Sequence, residues 1–143
     1  MARLEYCIVA QNVSIDQSTN LVSAFGVLEE VRTAGFPLLI PSLAVLSVWH
    51  SEQGDQDRDF QCVLRITAPG ENPNEFPFNF RLPVVRHRLV HRLQGVPILR
   101  EGNIRFEILL NGVSQLERVI PVILDASILE GHSPLVSPIQ PTH

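Results

Sequence analysis

Gly102-Asn103-Ile104-Arg105-Phe106-Glu107-Ile108-Leu109-Leu110-Asn111-Gly112 is the stretch whose reading decides the fold. Ile104, Phe106, Ile108 and Leu110 take every second position, Arg105 and Glu107 fall between them, and a glycine stands at each end. That is how a strand with one buried and one wet face is written. Phe106 is therefore assigned to the core and Arg105 to solvent. Asn111-Gly112 is a tight-turn dipeptide, so Val113–Leu124 is expected to return antiparallel.

Similar segments lie on either side. Leu4, Tyr6, Ile8 and Ala10 alternate within Leu4–Ile15, and the polar cluster Asp16–Asn20 turns the chain into Leu21–Arg32, a first hairpin. Pro37 and Pro41 bracket Leu38-Leu39-Ile40, a spacing that suits an edge or crossover segment. Leu43–His50 is apolar on both faces and reads as a central strand. After the acidic tract Ser51–Asp59, the residues Phe60, Cys62, Leu64 and Ile66 alternate with polar ones, which reads as a second hairpin. Phe76, Phe78, Phe80 and Leu82 resume the period of two, and Pro77 among them marks an edge strand. Val84–Leu93 fits a short helix and an irregular crossover equally well. Beyond Asp125 the chain is rich in Pro and Ser and builds no core. The expected organisation is a β-sandwich domain over residues 1–126 and a disordered tail over 127–143. The class is all-β, a single-domain antiparallel sandwich of seven or eight strands, immunoglobulin-like or jelly-roll-like.

A chain of 143 residues fits one domain, and at that size folding buries roughly 68–70% of the unfolded surface. The charged fraction of 18% is below the usual ~25%, which leaves apolar surface to face a partner. Fifteen acidic residues against eleven basic ones give a net charge of −4, and every basic residue is Arg. Lysine-based catalysis is thereby excluded. Cys7 and Cys62 sit in apolar runs and read as small buried hydrophobes. The N-terminus lacks the basic-then-apolar design of an export signal, and no run reaches the ~20 apolar residues of a membrane helix. The expected location is a reducing cytoplasm.

Few residues suggest chemistry. His87 and His91 lie four apart, the spacing of a metal pair on a helix, but Arg86, Arg88 and Arg92 around them would repel a cation. Glu52, Asp55, Asp57 and Asp59 resemble a calcium loop in composition without its Asp-x-Asp-x-Asp-Gly spacing, and read equally as a solvated hairpin tip. No nucleophile elbow, catalytic Cys–His pairing or phosphate loop is present, so no catalytic residues and no cofactor are expected. Arg81, Arg86, Arg88, Arg92, Arg100 and Arg105 crowd into one quarter of the chain. Core assignment of the nearby phenylalanines argues against nucleic acid, which leaves an ordinary solvated Arg surface or an electrostatic interface with an acidic protein.

Leu4-Glu5-Tyr6-Cys7-Ile8-Val9-Ala10, Ser23-Ala24-Phe25-Gly26-Val27, Phe36-Pro37, Leu93-x-Gly95 and Gly102-x-Ile104-x-Phe106 together resemble a family of small bacterial proteins of unknown function, over residues 4–124. The resemblance implies a cytoplasmic all-β domain and supplies no catalytic residues. The leading expectation is a non-catalytic interaction or assembly module. It would bind another protein or its own copies through the sheet edge at Phe36 and Pro37 or through Arg86, Arg88 and Arg92. The alternative is a sandwich that binds a sugar, a nucleotide or calcium, with Trp49 and His50 as the ligand contacts.

Overall fold

The computed structural model describes residues 2–52, 54–55, 58–81 and 85–130. Among them nine strands follow one another: β1 (Arg3–Ile15), β2 (Val22–Val27), β3 (Val31–Thr33), β4 (Leu38–His50), β5 (Asp59–Thr67), β6 (Asn74–Arg81), β7 (Arg86–Ile98), β8 (Gly102–Leu110) and β9 (Val113–Leu124). A 3-10 turn, Ala126–Glu130, follows β9. It enters the stretch assigned to the tail, and the rest of that tail lies outside the described residues. The strands form a four-stranded sheet in the order β2-β1-β4-β7 and a five-stranded sheet in the order β3-β9-β8-β5-β6. The protein is an all-β sandwich.

The Gly102–Gly112 reading holds residue by residue. Ile104, Phe106, Ile108 and Leu110 are buried while Arg105 is exposed and pairs with Glu117 at 3.2 Å. Leu110 lies opposite Val113, so Asn111 and Gly112 alone form the turn, with φ of 48° and 85°. Positive φ at both central positions is the mirror-image turn that matches strand twist, and Asn and Gly tolerate it best. The Asn111 side chain then accepts from the Gln61 N–H at 3.0 Å, which ties the turn to β5.

The main core fills the space between the sheets. Trp49, Phe60, Phe106, Leu43, Leu64, Ile98, Ile104 and Leu110 are almost wholly enclosed in it. Phe80 closes one side, its ring 5.3 Å from Trp49 and 5.6 Å from Phe60. Cys7, from the four-stranded sheet, and Cys62, from the five-stranded one, are both buried free thiols, and burial pushes them up to about 11 and about 12.

Several expectations need correction. Leu21–Arg32 is not one hairpin arm: β2 ends at Val27, buried Leu28 turns the chain, and β3 joins the opposite sheet parallel to β9. Leu43–His50 and Phe60–Ile66 do not pair either. They belong to different sheets, and the acidic segment between them crosses from one to the other. Leu38-Leu39-Ile40 opens the thirteen-residue β4 and pairs with Val96–Ile98 instead of forming a separate edge. The Val84–Leu93 ambiguity resolves as strand β7 from Arg86 onward, with Val84 outside the described residues. His87 and His91 occupy inward positions that the hydrophobic pattern counted as polar, so the period of two was hidden. His91 lies 4.1 Å from the Phe78 ring and His87 stacks 6.0 Å from Phe80. These two strand-spaced histidines close the seam between β7 and β6.

Candidate functional site

The strand β4 is buried on both faces, which a two-layer sandwich explains for one face only. On the outer face Ala44, Leu46 and Val48 join Ala10 and Val13 in a second apolar cluster, flanked by Ile8, Val22, Ala24 and Val90. Arginines from β7 reach across this face. In the β4–β7 ladder Arg92 stands opposite Ala44, Val90 opposite Leu46 and Arg88 opposite Val48. Each arginine then passes over β4 to an acceptor beyond it. Arg92 donates to Asn12 Oδ1 at 3.2 Å and to the Val13 carbonyl at 3.0 Å. Arg88 donates to the side chain and backbone oxygens of Asn20, both at 3.1 Å. Arg86 forms a two-pronged pair with Glu5 at 2.7 and 3.2 Å. The aliphatic stems shield the cluster while each guanidinium makes two hydrogen bonds, and only the Arg88 Nε–H among these donors is buried without an acceptor.

This roof has electrostatic consequences. The Arg86 hydrogen bond holds the Glu5 carboxyl below the usual carboxylate range. On the opposite face of β7, burial lowers the pKa of His87 and of His91, which favours neutral imidazoles. Two other arginines of the basic quarter are also engaged within the chain, Arg81 with Asp59 at 2.6 Å and Arg105 with Glu117. The charge asymmetry read from the sequence is met largely by acceptors of this same domain.

The sequence-derived candidates do not converge on one place. Arg86 pairs with His50 at one end of the β4–β7 ladder, whereas Leu38, next to Pro37, pairs with Ile98 at the other. The Phe36–Pro37 peptide is cis, Phe36 packs against the main core and Pro37 is exposed. Trp49 is fully enclosed, and its Nε1–H donates to Ser47 Oγ at 3.1 Å. His50, the next residue, falls on the opposite face of β4, so the two do not form a shared ligand platform. In the acidic segment Asp55 is buried and its Oδ2 accepts from the Glu52 N–H at 2.6 Å. Asp57 lies outside the described residues. Among the described residues no three His, Cys, Asp or Glu side chains come together as a metal site.

The edges of the sheets differ sharply. The β7 edge carries Arg86, His87, Arg88, His91, Arg92 and Pro97. The β6 edge carries Glu75, Pro77 and Arg81, and β3 is only three residues long. Charge, proline and shortness are the devices by which sheets avoid pairing with other chains. The β2 edge, Val22-Ser23-Ala24-Phe25-Gly26-Val27, carries neither charge nor proline; it is of modest length and bends only at Gly26, whose φ is 64°. Leu21, Phe25 and Val27 are 67%, 54% and 53% exposed along it. In the sequence, Phe25 and Val27 serve only as marks of the family resemblance, and none of the three is singled out as a binding residue. Their signal is the absence of any charge from Gln17 to Leu28, which acquires meaning only once the segment is known to be an edge.

Residues 5–123 match the model of a family described as "Family of unknown function (DUF6941)". The chain belongs to this family. The matched span runs from within β1 to within β9, so it takes in both the arginine-covered face and the bare β2 edge. No curated protein matches the chain. Among the described residues no helix is long and apolar enough to cross a membrane.

Proposed function

We propose that this member of the family is a non-catalytic interaction module that binds protein by strand addition at the β2 edge. The observation that carries the reading is the contrast among the sheet edges: among the described residues, β2 alone offers unpaired backbone groups beside exposed apolar side chains with no charge or proline to repel a strand. In strand addition the main chain supplies affinity and alternate side chains supply specificity. The Arg-rich surface is the weaker candidate, because Arg86, Arg88 and Arg92 each already direct two hydrogen bonds to acceptors of the same domain, Glu5, Asn20, Asn12 and Val13. Two buried thiols with raised pKa suit a reducing compartment such as the cytoplasm.

A photo-crosslinking residue in place of Phe25, compared with one in place of exposed Gln94 on β7, tests the reading in the source cell. Adducts at position 25 and none at position 94 are expected. Adducts confined to position 94, or none at either, would overturn it.

A further inference from the structure

We infer that the strand added at β2 is β2 of a second copy of this chain, related by a two-fold axis at Ala24. The inference rests on the strand-addition reading and names its partner.

The backbone geometry selects the register. The Asp16 N–H donates to the Leu21 carbonyl at 2.9 Å where the β1–β2 hairpin closes. In an antiparallel ladder, hydrogen-bonded and non-hydrogen-bonded pairs alternate. Counting from that closure, Ser14↔Ser23 and Asn12↔Phe25 are the bonded pairs, while Ile15↔Val22 and Val13↔Ala24 are not. Val22 and Ala24 therefore direct their N–H and C=O groups away from β1, toward the open side. A two-fold antiparallel contact pairs residues of like orientation, so a centre at Ala24 sets Ala24 against Ala24 and Val22 against Gly26 of the second copy. Small residues meet at the centre, alanine against alanine.

Charge selects the occupant. An isologous contact sets each edge against itself, and a charged edge then meets its own charges. β7 paired with itself opposes one row of arginines to another, and β6 carries Pro77, which lacks a donor. β2 is uncharged from end to end, so self-pairing opposes no like charges. Val22 and Ala24 also flank the outer apolar cluster around Val13. Joining two β2 strands brings the clusters of both copies alongside each other in one eight-stranded sheet and covers Phe25 and Val27.

Sedimentation of the full chain over a dilution series, with two variants, tests the inference. The wild type is expected to move from the 16.0 kDa monomer to a species of twice that mass as concentration rises. Ala24→Pro removes an outward N–H without touching the β1 ladder, and is expected to stay monomeric at every concentration with an unchanged circular dichroism spectrum. Ala24→Cys keeps the inference falsifiable should the proline variant misfold. Opposed residues of such a pair lie about 5.5 Å apart at Cα, within disulfide range, so mild oxidation is expected to yield a covalent dimer. A wild type that stays monomeric while Ala24→Cys fails to cross-link would overturn the inference, as would a dimer that Ala24→Pro leaves intact. Continued adducts at position 25 to another protein would then preserve the strand-addition reading, and their absence would end both.

Discussion

The strands β7 and β2 bound the same four-stranded sheet and solve opposite problems. β7 turns its outward arginines over β4 and its inward histidines onto Phe78 and Phe80, so these side chains are committed to the domain. β2 commits Val22 and Ala24 to the outer cluster and leaves Phe25 and Val27 uncovered. The lesson is that a cluster of charge in sequence need not mark a binding surface. Among the described residues the charged edge is occupied by its own fold, and the uncharged edge is the one left open.

The largest expected effect comes from attacking what the arginines cover. Leu46→Asp places an unpaired carboxylate beside Val90 at a position 1% exposed, and should cost on the order of 4 kcal/mol or more, a large share of a domain's stability. Thermal denaturation of the variant checks this. A melting temperature near wild type would mean that the outer face is not a second core.

Reversing Arg86, Arg88 and Arg92 to Glu together is next in size. Arg86→Glu would face Glu5, and the other two would lose their bonds to Asn20, Asn12 and Val13. The melting temperature should fall by several degrees and the outer cluster should become accessible to a hydrophobic dye. A triple variant as stable as wild type would return these arginines to the status of a free surface.

The seam between β7 and β6 gives a pH signature of moderate size. Burial lowers the pKa of His87 and His91 below the unfolded value of 6.5, so the folded state resists their protonation. Stability from this source is complete above about pH 6.5 and is lost as pH falls through the unfolded value toward the lowered folded ones. Titration of Glu5, Asp16 and Asp125, whose carboxyl pKa values are lowered, draws stability down only at more acidic pH, below their ordinary values. The melting temperature should therefore drop between pH 7 and pH 5 in wild type and drop less in His91→Phe. Equal slopes would place the effect elsewhere.

The smallest effect on stability should come from the open edge. Phe25→Asp at an exposed position is expected within about 0.5 kcal/mol of wild type, yet should abolish self-association. That pairing of outcomes, little change in folding and complete change in assembly, is the reverse of what the β7 variants should show.

Where buried and wet faces alternate cleanly, as in Gly102–Gly112, the fold was legible because each residue's environment is a property of its own strand. Asn111-Gly112 was legible for the same reason, since its turn type is set by two residues. Val84–Leu93 was not, because a histidine packed on an aromatic ring is core in the structure and polar in the pattern. The passage of the chain between sheets at Leu28 and through the acidic segment could not be read either: sheet membership depends on the partners of β3 and β5, which lie far along the chain. The candidate edge at β2 was hidden by a related cause. An uncharged strand looks the same in sequence whether it is central or marginal, and only the strand order β2-β1-β4-β7 separates the two.

Hydrogen exchange resolved to single amides, recorded at low and at high protein concentration, tests the open-edge claim most directly. The account predicts that the outward amides of Val22 and Ala24 exchange rapidly in dilute solution and gain protection on concentration, while the amides along the free side of β7 exchange at the same rate in both. Protection that grows along β7 with concentration, or amides of Val22 and Ala24 that exchange alike at both concentrations, would contradict it.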